Sequence, residues 1–268
     1  MIEELFPDGL WERIAPLLPP PEPRRDRYPG RWPIDDRTAL TGIVFVLKTG
    51  ITWNQLPTSV VGCFGVTWWR RRDWTEAGVW PALHEQLLAH LRALDALDLD
   101  CCAVDGSHVR ALKGGDHVGP SPVDRGRPGS KHHLICDVGG IPLAIALTGG
   151  NRNDVTQLLP LLDAVPPIRG RRGRPRRPRE LFADRGYDHD VYRRQLRARS
   201  ITPRIARRGV AHGSGLGKKR WVVERGFAWL HAFKRLRARY ERRAHIDLGL
   251  VQLACALICY RQLAVVLK

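Results

Sequence analysis

Three acidic side chains of this 268-residue chain have the types and the placement that chemistry on a phosphodiester requires. Asp105 and Asp184 each end a short apolar run, and Glu224 lies in a later segment rich in Lys and Arg. A carboxylate at the end of a buried strand is held at the rim of a sheet, where α/β folds place their ligands. Three converging carboxylates would hold Mg²⁺, which activates a water or a 3′-hydroxyl for attack on phosphorus. Judged on residue types alone, an i,i+4 salt bridge on a solvated helix explains Glu224 equally well.

The overall charge points to the partner of such a site. The chain has 44 Lys and Arg against 27 Asp and Glu, a formal net charge of +17. A hydrophobic content of 43% is typical of a folded chain, so we expect this charge on a surface that meets polyanions, with nucleic acid as the first candidate. Lys contributes only seven of the basic residues. The Arg bias suits bidentate phosphate contacts, although GC-rich coding drift explains it equally well.

Cysteine usage and hydropathy indicate the compartment. The six cysteines form no Cys-x-x-Cys pair and no ligand-spaced set with His, which argues against zinc. The first residues carry acids and lack the apolar core of a signal peptide. The most apolar stretch, residues 248–260, is too short to span a bilayer. We therefore expect a cytoplasmic protein without a membrane partner.

Hydrophobic periodicity predicts a helical region up to residue 97 and an α/β region after it. Strands are predicted at 99–109, 132–138, 141–148, 180–184 and 201–205. Helices are predicted after Asp35 and at 66–74, 75–97, 155–165, 189–199, 218–243 and 246–267. Residues 113–130 and 166–179 are expected to be loops, and Asp154 and Asp188 are expected to cap the helices that follow them.

Several segments, in order along the chain, resemble the DDE transposases of bacterial insertion sequences, in the group typified by insertion sequence five. They are DGSHVRALKGG, GPSPVDRGRPGSKHHLICDVGGIPLAI, GGNRND, FADRGYD and RWVVERGFAWLHAFKRLRARYERR, together with WNQLP and WWRRRDW nearer the N-terminus. The resemblance runs from about residue 32 to the C-terminus. It implies an α/β fold with a ribonuclease H-like catalytic domain (a mixed sheet flanked by helices) at 98–268, preceded by an all-helical DNA-binding domain at 1–97.

The resemblance also implies roles for individual residues. Asp105, Asp184 and Glu224 match the family's catalytic Asp-Asp-Glu triad, at intervals of 79 and 40 residues. Arg220 and Glu224 match the Arg and Glu of the family's Tyr-Arg-Glu-Lys signature. Gly217 stands at the Tyr position and His231 at the Lys position, with Lys234 one turn onward as a substitute.

The activity implied is that of an insertion-sequence transposase. The triad would bind two Mg²⁺ ions, with Mn²⁺ as a substitute, for hydrolysis at the element's ends and transfer of the 3′-hydroxyl into target DNA. The partners implied are double-stranded DNA, as terminal inverted repeats and target, and further copies of the chain in a homodimer or higher oligomer at the bacterial nucleoid. Two alternatives stay open: a metal-dependent nuclease without strand transfer, and an inactive DNA-binding relic.

Cationic candidates for phosphate contacts accompany the triad, and affinity through them should fall steeply with salt. They are Arg70, Arg71, Lys131, Arg220, Arg225, His231, Lys234, Arg235 and the basic loop of residues 169–179.

Overall fold

The computed structural model describes residues 6–21, 26–27, 32–65, 67–168, 178–210 and 217–267. The basic loop predicted at 169–179 lies outside the described residues except for its last two positions.

The N-terminal region is helical, as its periodicity predicts. Its helices are α1 (Asp8–Ile14), α2 (Asp36–Thr49), α3 (Thr58–Val61), α4 (Thr67–Glu76) and α5 (Val79–Ala93), with 3₁₀ turns at Ala15–Leu17 and Trp53–Gln55. Helix α2 begins where the sequence indicates, because Asp35 Oδ1 accepts a hydrogen bond from the Thr38 backbone N–H at 3.1 Å. It ends at Gly50, whose φ of 75° is the left-handed conformation that glycine adopts without strain.

The second region is built on a seven-stranded mixed sheet. Its strands are β1 (Cys101–Ala111), β2 (Gly119–Pro120), β3 (Pro128–Asp137), β4 (Pro142–Gly149), β5 (Glu180–Ala183), β6 (Thr202–Ile205) and β7 (Ala238–Arg239). The main order is β4-β3-β1-β5-β6, antiparallel between β4, β3 and β1 and parallel between β1, β5 and β6. Short β2 extends beside β3, and β7 beside β1. The prediction of loop throughout 113–130 is therefore wrong where β2 and the start of β3 lie.

Helices flank this sheet. They are α6 (Leu158–Asp163), α7 (Asp190–Ala198), α8 (Gly217–Ala232) and α9 (Ala244–Val266), with 3₁₀ turns at Asp154–Gln157, Arg185–Tyr187 and Lys234–Arg237. The prediction of one long helix over 218–243 is wrong beyond Ala232. Phe233 adopts an extended conformation with its side chain in the core, and the chain then enters β7 and pairs with β1. A continuous helix would leave the basic residues of this segment exposed to solvent. Burial of Phe233 and Arg239 stabilises the extended conformation more than the helical preference of the segment stabilises a helix.

The closing helix α9 is central to the core. It packs against α5 and β4, and a single buried cluster includes side chains from the N-terminal helices and from both faces of the sheet. The apolar stretch at 248–260 belongs to this longer helix. By length and composition α9 is apolar enough to cross a membrane, but 61% of its most apolar window is buried inside the protein. A membrane location is not indicated. The division at residue 97 stays a prediction, since the core runs across it.

Candidate active site

The sheet register places two of the three candidate carboxylates at the same edge. Strands β1 and β5 run parallel, with Ala103 opposite Phe182. Two residues farther along each strand come Asp105 and Asp184, so their side chains emerge level with each other where β5 ends. Asp184 then caps the 3₁₀ turn Arg185–Tyr187 by accepting the Gly186 N–H at 2.8 Å.

Helix α8 carries the third carboxylate across this edge and contacts β1, β3 and β5. Close approach depends on Gly226, where a Cβ atom would lie 2.8 Å from Leu134 Cδ2. Arg220, on the same helix, links the two elements: its Nη1 lies 3.2 Å from Asp105 Oδ2, and its Nη2 lies 3.7 Å from Glu224 Oε1. The guanidinium therefore stands between two of the three carboxylates that the sequence singled out.

Burial makes Asp105 an unusual acid. Desolvation is the main cause that raises its pKa to about 6 from an ordinary value of 3.8, and the negative charges of Asp184 and Asp154 raise it further. The Gly106 N–H, which donates to Asp105 Oδ1 at 2.8 Å, and the Arg220 guanidinium act in the opposite direction. A carboxyl held so far from its ordinary pKa beside other acids is typical of a functional site.

The residue types suit a divalent cation, although no three His, Cys, Asp or Glu side chains within the described ranges converge as a ready-made metal site. The donor set is three carboxylates, the chemistry that hard cations prefer. A cation already occupies the place between Asp105 and Glu224 in the form of the Arg220 guanidinium. The place thus attracts positive charge, and the residues present fit the metal that the resemblance implies.

A fourth carboxylate, Asp154, lies beside this site. The predicted capping role for Asp154 is wrong, because Asn153 is the N-cap, and the Asp154 side chain instead pairs with Lys131 Nζ at 2.9 Å. Its Oδ1 also lies 3.6 Å from His133 Nδ1, and it leaves so little room that a Cβ atom on Gly106 would lie 2.8 Å away. Asp154 therefore packs directly against the residue that follows Asp105.

The predicted cap at Asp188 is also wrong. His189 is the N-cap of α7, and Asp188 instead pairs with Arg193, with both side chains buried. The ion pair satisfies Asp188 inside the protein.

Three cations predicted to contact DNA are buried. Arg71 and Arg235 are 3% and 6% exposed, and each binds the Glu241 carboxylate, at 2.9 and 3.0 Å. Lys131 is 6% exposed and held by Asp154 and by the Arg152 carbonyl. In the described structure these three side chains bind groups within the protein and present little surface to a phosphate, and their contact with DNA stays a prediction.

The other predicted cations reach solvent to different degrees. Arg70 pairs with Asp36 at 3.5 Å and is partly exposed, as is Arg225, whose guanidinium stacks over Trp221 at 4.1 Å. Lys234 is exposed. The partly buried His231 ring stacks on Phe227, and burial lowers its pKa, so at neutral pH it carries no charge for a phosphate.

Sequence reasoning missed two residues next to the triad, Asp154 and Tyr187. Tyr187 ends the 3₁₀ turn after Asp184 and is 1% exposed, in electrostatic range of Asp105 and Asp154. The signal in the sequence was proximity, since Tyr187 follows Asp184 by three residues. For Asp154 the signal was weak, because its partner Lys131 lies on strand β3, 23 residues earlier in the chain.

The sheet order, with one acidic residue inside central strand β1, a second directly after the adjacent strand β5 and a third on a helix that contacts both strands, defines a ribonuclease H-like fold. Comparison with known families is more specific. The family described as "Transposase DDE domain" matches residues 97–259, and the family described as "Putative transposase of IS4/5 family" matches residues 6–84. The chain belongs to the DDE transposases of insertion sequences.

Two relatives from Burkholderia cepacia support this assignment. Over 147 residues the chain is 63% identical to a protein named "Putative transposase for insertion sequence element IS402", a match that covers 54% of this chain and 70% of that protein. Over 124 residues it is 55% identical to "Insertion element IS402 uncharacterized 16.2 kDa protein", covering 46% of this chain and 84% of that one. Membership of this family means that the chain acts on DNA and that its catalytic domain depends in general on a divalent metal.

Proposed function

We propose that Asp105, Asp184 and Glu224 form the catalytic centre of a transposase that cleaves DNA at the ends of its element and joins the new 3′ ends to target DNA. The observation that carries the proposal is the meeting of the three elements at one edge. Strand register brings Asp105 level with Asp184, and the Arg220 guanidinium connects Asp105 to Glu224.

The chain's own residues prepare this centre in two ways. Burial removes part of the water around Asp105, whose side chain is 24% exposed, and this strengthens its interaction with any cation that approaches. The Gly106 and Gly186 N–H groups fix one oxygen each of Asp105 and Asp184 at 2.8 Å, so the remaining lone pairs have defined directions. At a pH well above 6 the Asp105 carboxyl is ionised and can bind a cation.

Two Mg²⁺ ions, with Mn²⁺ as a substitute, are the cations that Asp105, Asp184 and Glu224 would hold, and they supply activation of the nucleophile and neutralisation of the leaving oxygen. In the hydrolytic step a water oxygen bonds to phosphorus while the P–O3′ bond breaks, leaving a 3′-hydroxyl on the element and a 5′-phosphate on the flanking DNA. In strand transfer that hydroxyl oxygen bonds to a target phosphorus, and the target's own P–O3′ bond breaks.

The proposed DNA-binding surface contains fewer cations than the sequence analysis predicted. It uses Arg220, Arg225, Lys234 and Arg70, whose side chains reach solvent. The helical N-terminal region would recognise the terminal inverted repeats. Joining two ends in one complex requires at least a homodimer on DNA, and we place the activity at the nucleoid in the cytoplasm.

A cleavage assay with labelled element ends, target DNA and Mg²⁺ tests the proposal. Wild-type chain should yield joined products, whereas Asp184→Asn should abolish both cleavage and joining, because Asn lacks the charge that holds the cation. The control is Asp163→Asn, which removes an exposed carboxylate paired only at the surface with Arg199 and should leave both steps unchanged.

Each other outcome has a defined meaning. Cleavage without joining would favour the metal-dependent nuclease, and binding without cleavage would favour the inactive relic. Cleavage that survives in Asp184→Asn would disprove the triad assignment.

A further inference from the structure

The hydroxyl of Tyr187 is a buried polar group that the fold does not explain. Tyr187 is 1% exposed, and within the described ranges its hydroxyl has no hydrogen-bond partner. A buried hydroxyl without a partner carries a desolvation cost, and native proteins rarely keep one. A phenylalanine would fill the same core without that cost, so the oxygen calls for a different role.

The surroundings of this hydroxyl indicate which role. Tyr187 ends the turn Arg185–Tyr187, which packs against the turn Asp154–Gln157. Four charged groups act on the hydroxyl: Asp105 most strongly, then Asp154, Asp184 and Arg220. A phenol keeps its proton at neutral pH, so toward these carboxylates the hydroxyl can act only as a hydrogen-bond donor.

The nearby carboxylates differ in how fully their oxygens are bound. Asp154 is held by Lys131 at 2.9 Å and lies beside His133. Asp105 accepts the Gly106 N–H on one oxygen, and its other oxygen meets Arg220 at 3.2 Å. Arg220 is more exposed than Lys131, and it is shared between Asp105 and Glu224. Asp105 is thus the carboxylate whose second oxygen changes partner when a divalent cation displaces the guanidinium.

We propose that Tyr187 is a positioning residue for Asp105, and that its hydroxyl donates a hydrogen bond to the Asp105 carboxylate when a divalent cation takes the place that the Arg220 guanidinium holds in this structure. The proposal rests on the cation site described under Proposed function. Tyr187 then acts through Asp105, by fixing the direction of the oxygen that binds the cation. Hydrogen-bond partners of metal ligands have this effect in many metal sites.

The test is Tyr187→Phe, which removes one oxygen atom, with Mn²⁺ as the probe. Binding of Mn²⁺ to the full chain without DNA is measured from the electron paramagnetic resonance signal of the free ion. We expect Tyr187→Phe to weaken binding by about 10-fold or more, the usual effect of losing such a partner. Its thermal midpoint should stay the same or rise, because no described group loses a hydrogen bond. The matched control, Tyr192→Phe on α7, should bind Mn²⁺ like the wild type.

The outcomes separate this inference from the function on which it rests. If Asp105→Asn weakens Mn²⁺ binding and Tyr187→Phe leaves it within twofold of the wild type, the role of Tyr187 is refuted and the cation site stands. If Tyr187→Phe lowers the thermal midpoint together with Mn²⁺ binding, its hydroxyl is structural and the inference is also refuted. If the wild type does not bind Mn²⁺, or Asp105→Asn binds it equally well, the proposed cation site fails and the role of Tyr187 fails with it.

Discussion

Replacing Asp105 by Asn should make the protein more stable while it destroys the proposed active site. The pKa of Asp105 is about 6 in the folded chain and 3.8 without the fold's influence, so the folded chain binds this proton more tightly than the unfolded chain does. The free energy of unfolding therefore falls as the pH rises from about 4 to about 6, and the loss persists at higher pH. Asn is neutral at every pH and can still accept the Gly106 N–H through its amide oxygen.

The size of the effect follows from the pKa. A rise from 3.8 to about 6 corresponds to about 3 kcal/mol at a pH well above both values. This figure already includes the attraction of Arg220, which lowers the pKa and opposes desolvation. For a chain of this length, about 3 kcal/mol corresponds to a rise of roughly 5 °C in the thermal midpoint.

Thermal unfolding followed by circular dichroism, without divalent cations, measures this directly. Asp105→Asn should exceed the wild type by about 5 °C at pH 8 and match it at pH 3.5, where the carboxyl is protonated in both states. The control is Glu85→Gln, which removes an exposed carboxylate on α5 and the same formal charge. A variant that is less stable than the wild type at pH 8, or a gain that does not depend on pH, would refute the reasoning.

Two further predictions concern cations. Arg225→Gln removes a partly exposed guanidinium beside Trp221, so the slope of log affinity for DNA against log salt concentration should become less steep by about 1. The control Arg197→Gln, at an exposed position on α7, should leave the slope unchanged. Equal slopes for Arg225→Gln and the wild type would exclude a contact between Arg225 and a phosphate. Arg71→Met leaves the Glu241 carboxylate buried with one partner fewer and should cost about 3 kcal/mol in urea unfolding, against less than about 1 for the neighbouring Arg72→Met. A cost below that of Arg72→Met would contradict the role of Arg71 in the buried network.

Local signals in the sequence predicted most of the secondary structure. The N-cap Asp35 and the C-cap Gly50 locate α2, because the Asp35 side chain and the Gly50 backbone act directly on the ends of that helix. The long basic helix was mispredicted at Phe233 for the opposite reason. Whether that side chain is buried depends on strands and helices far away in the chain, which periodicity within the segment does not contain.

The candidate site was predictable to a different extent for each residue. Asp184 could be placed because it follows the end of a strand, which is a local feature with a known spatial meaning in an α/β sheet. The prediction that Asp105 ends a strand is wrong, because β1 continues to Ala111, and the register with β5 brings Asp105 level with Asp184. The pairing of Lys131 with Asp154 could not be predicted, since it joins a strand to a turn 23 residues later. From residue types alone, Lys131 was expected to contact phosphate and Asp154 was expected to cap a helix. The ion pair of Arg71 with Glu241 joins residues 170 positions apart, and neither local sequence contains a pattern that predicts it.

The formal charge of +17 overstates the positive surface available to DNA, because part of it neutralises acids inside the protein. Buried cations pair with buried or partly buried carboxylates in Arg71–Glu241, Arg235–Glu241, Lys131–Asp154 and Arg193–Asp188. Asp105 lacks such a dedicated partner: it is partly buried, and its one cationic partner, Arg220, is partly exposed and shared with Glu224. Its negative charge is therefore incompletely compensated, and its pKa is raised. A divalent cation bound at Asp105 would compensate this negative charge, whereas the acids that already pair with buried cations need no further compensation. The distribution of counter-charges, more than their total, therefore separates Asp105 from the acids that pair with buried cations.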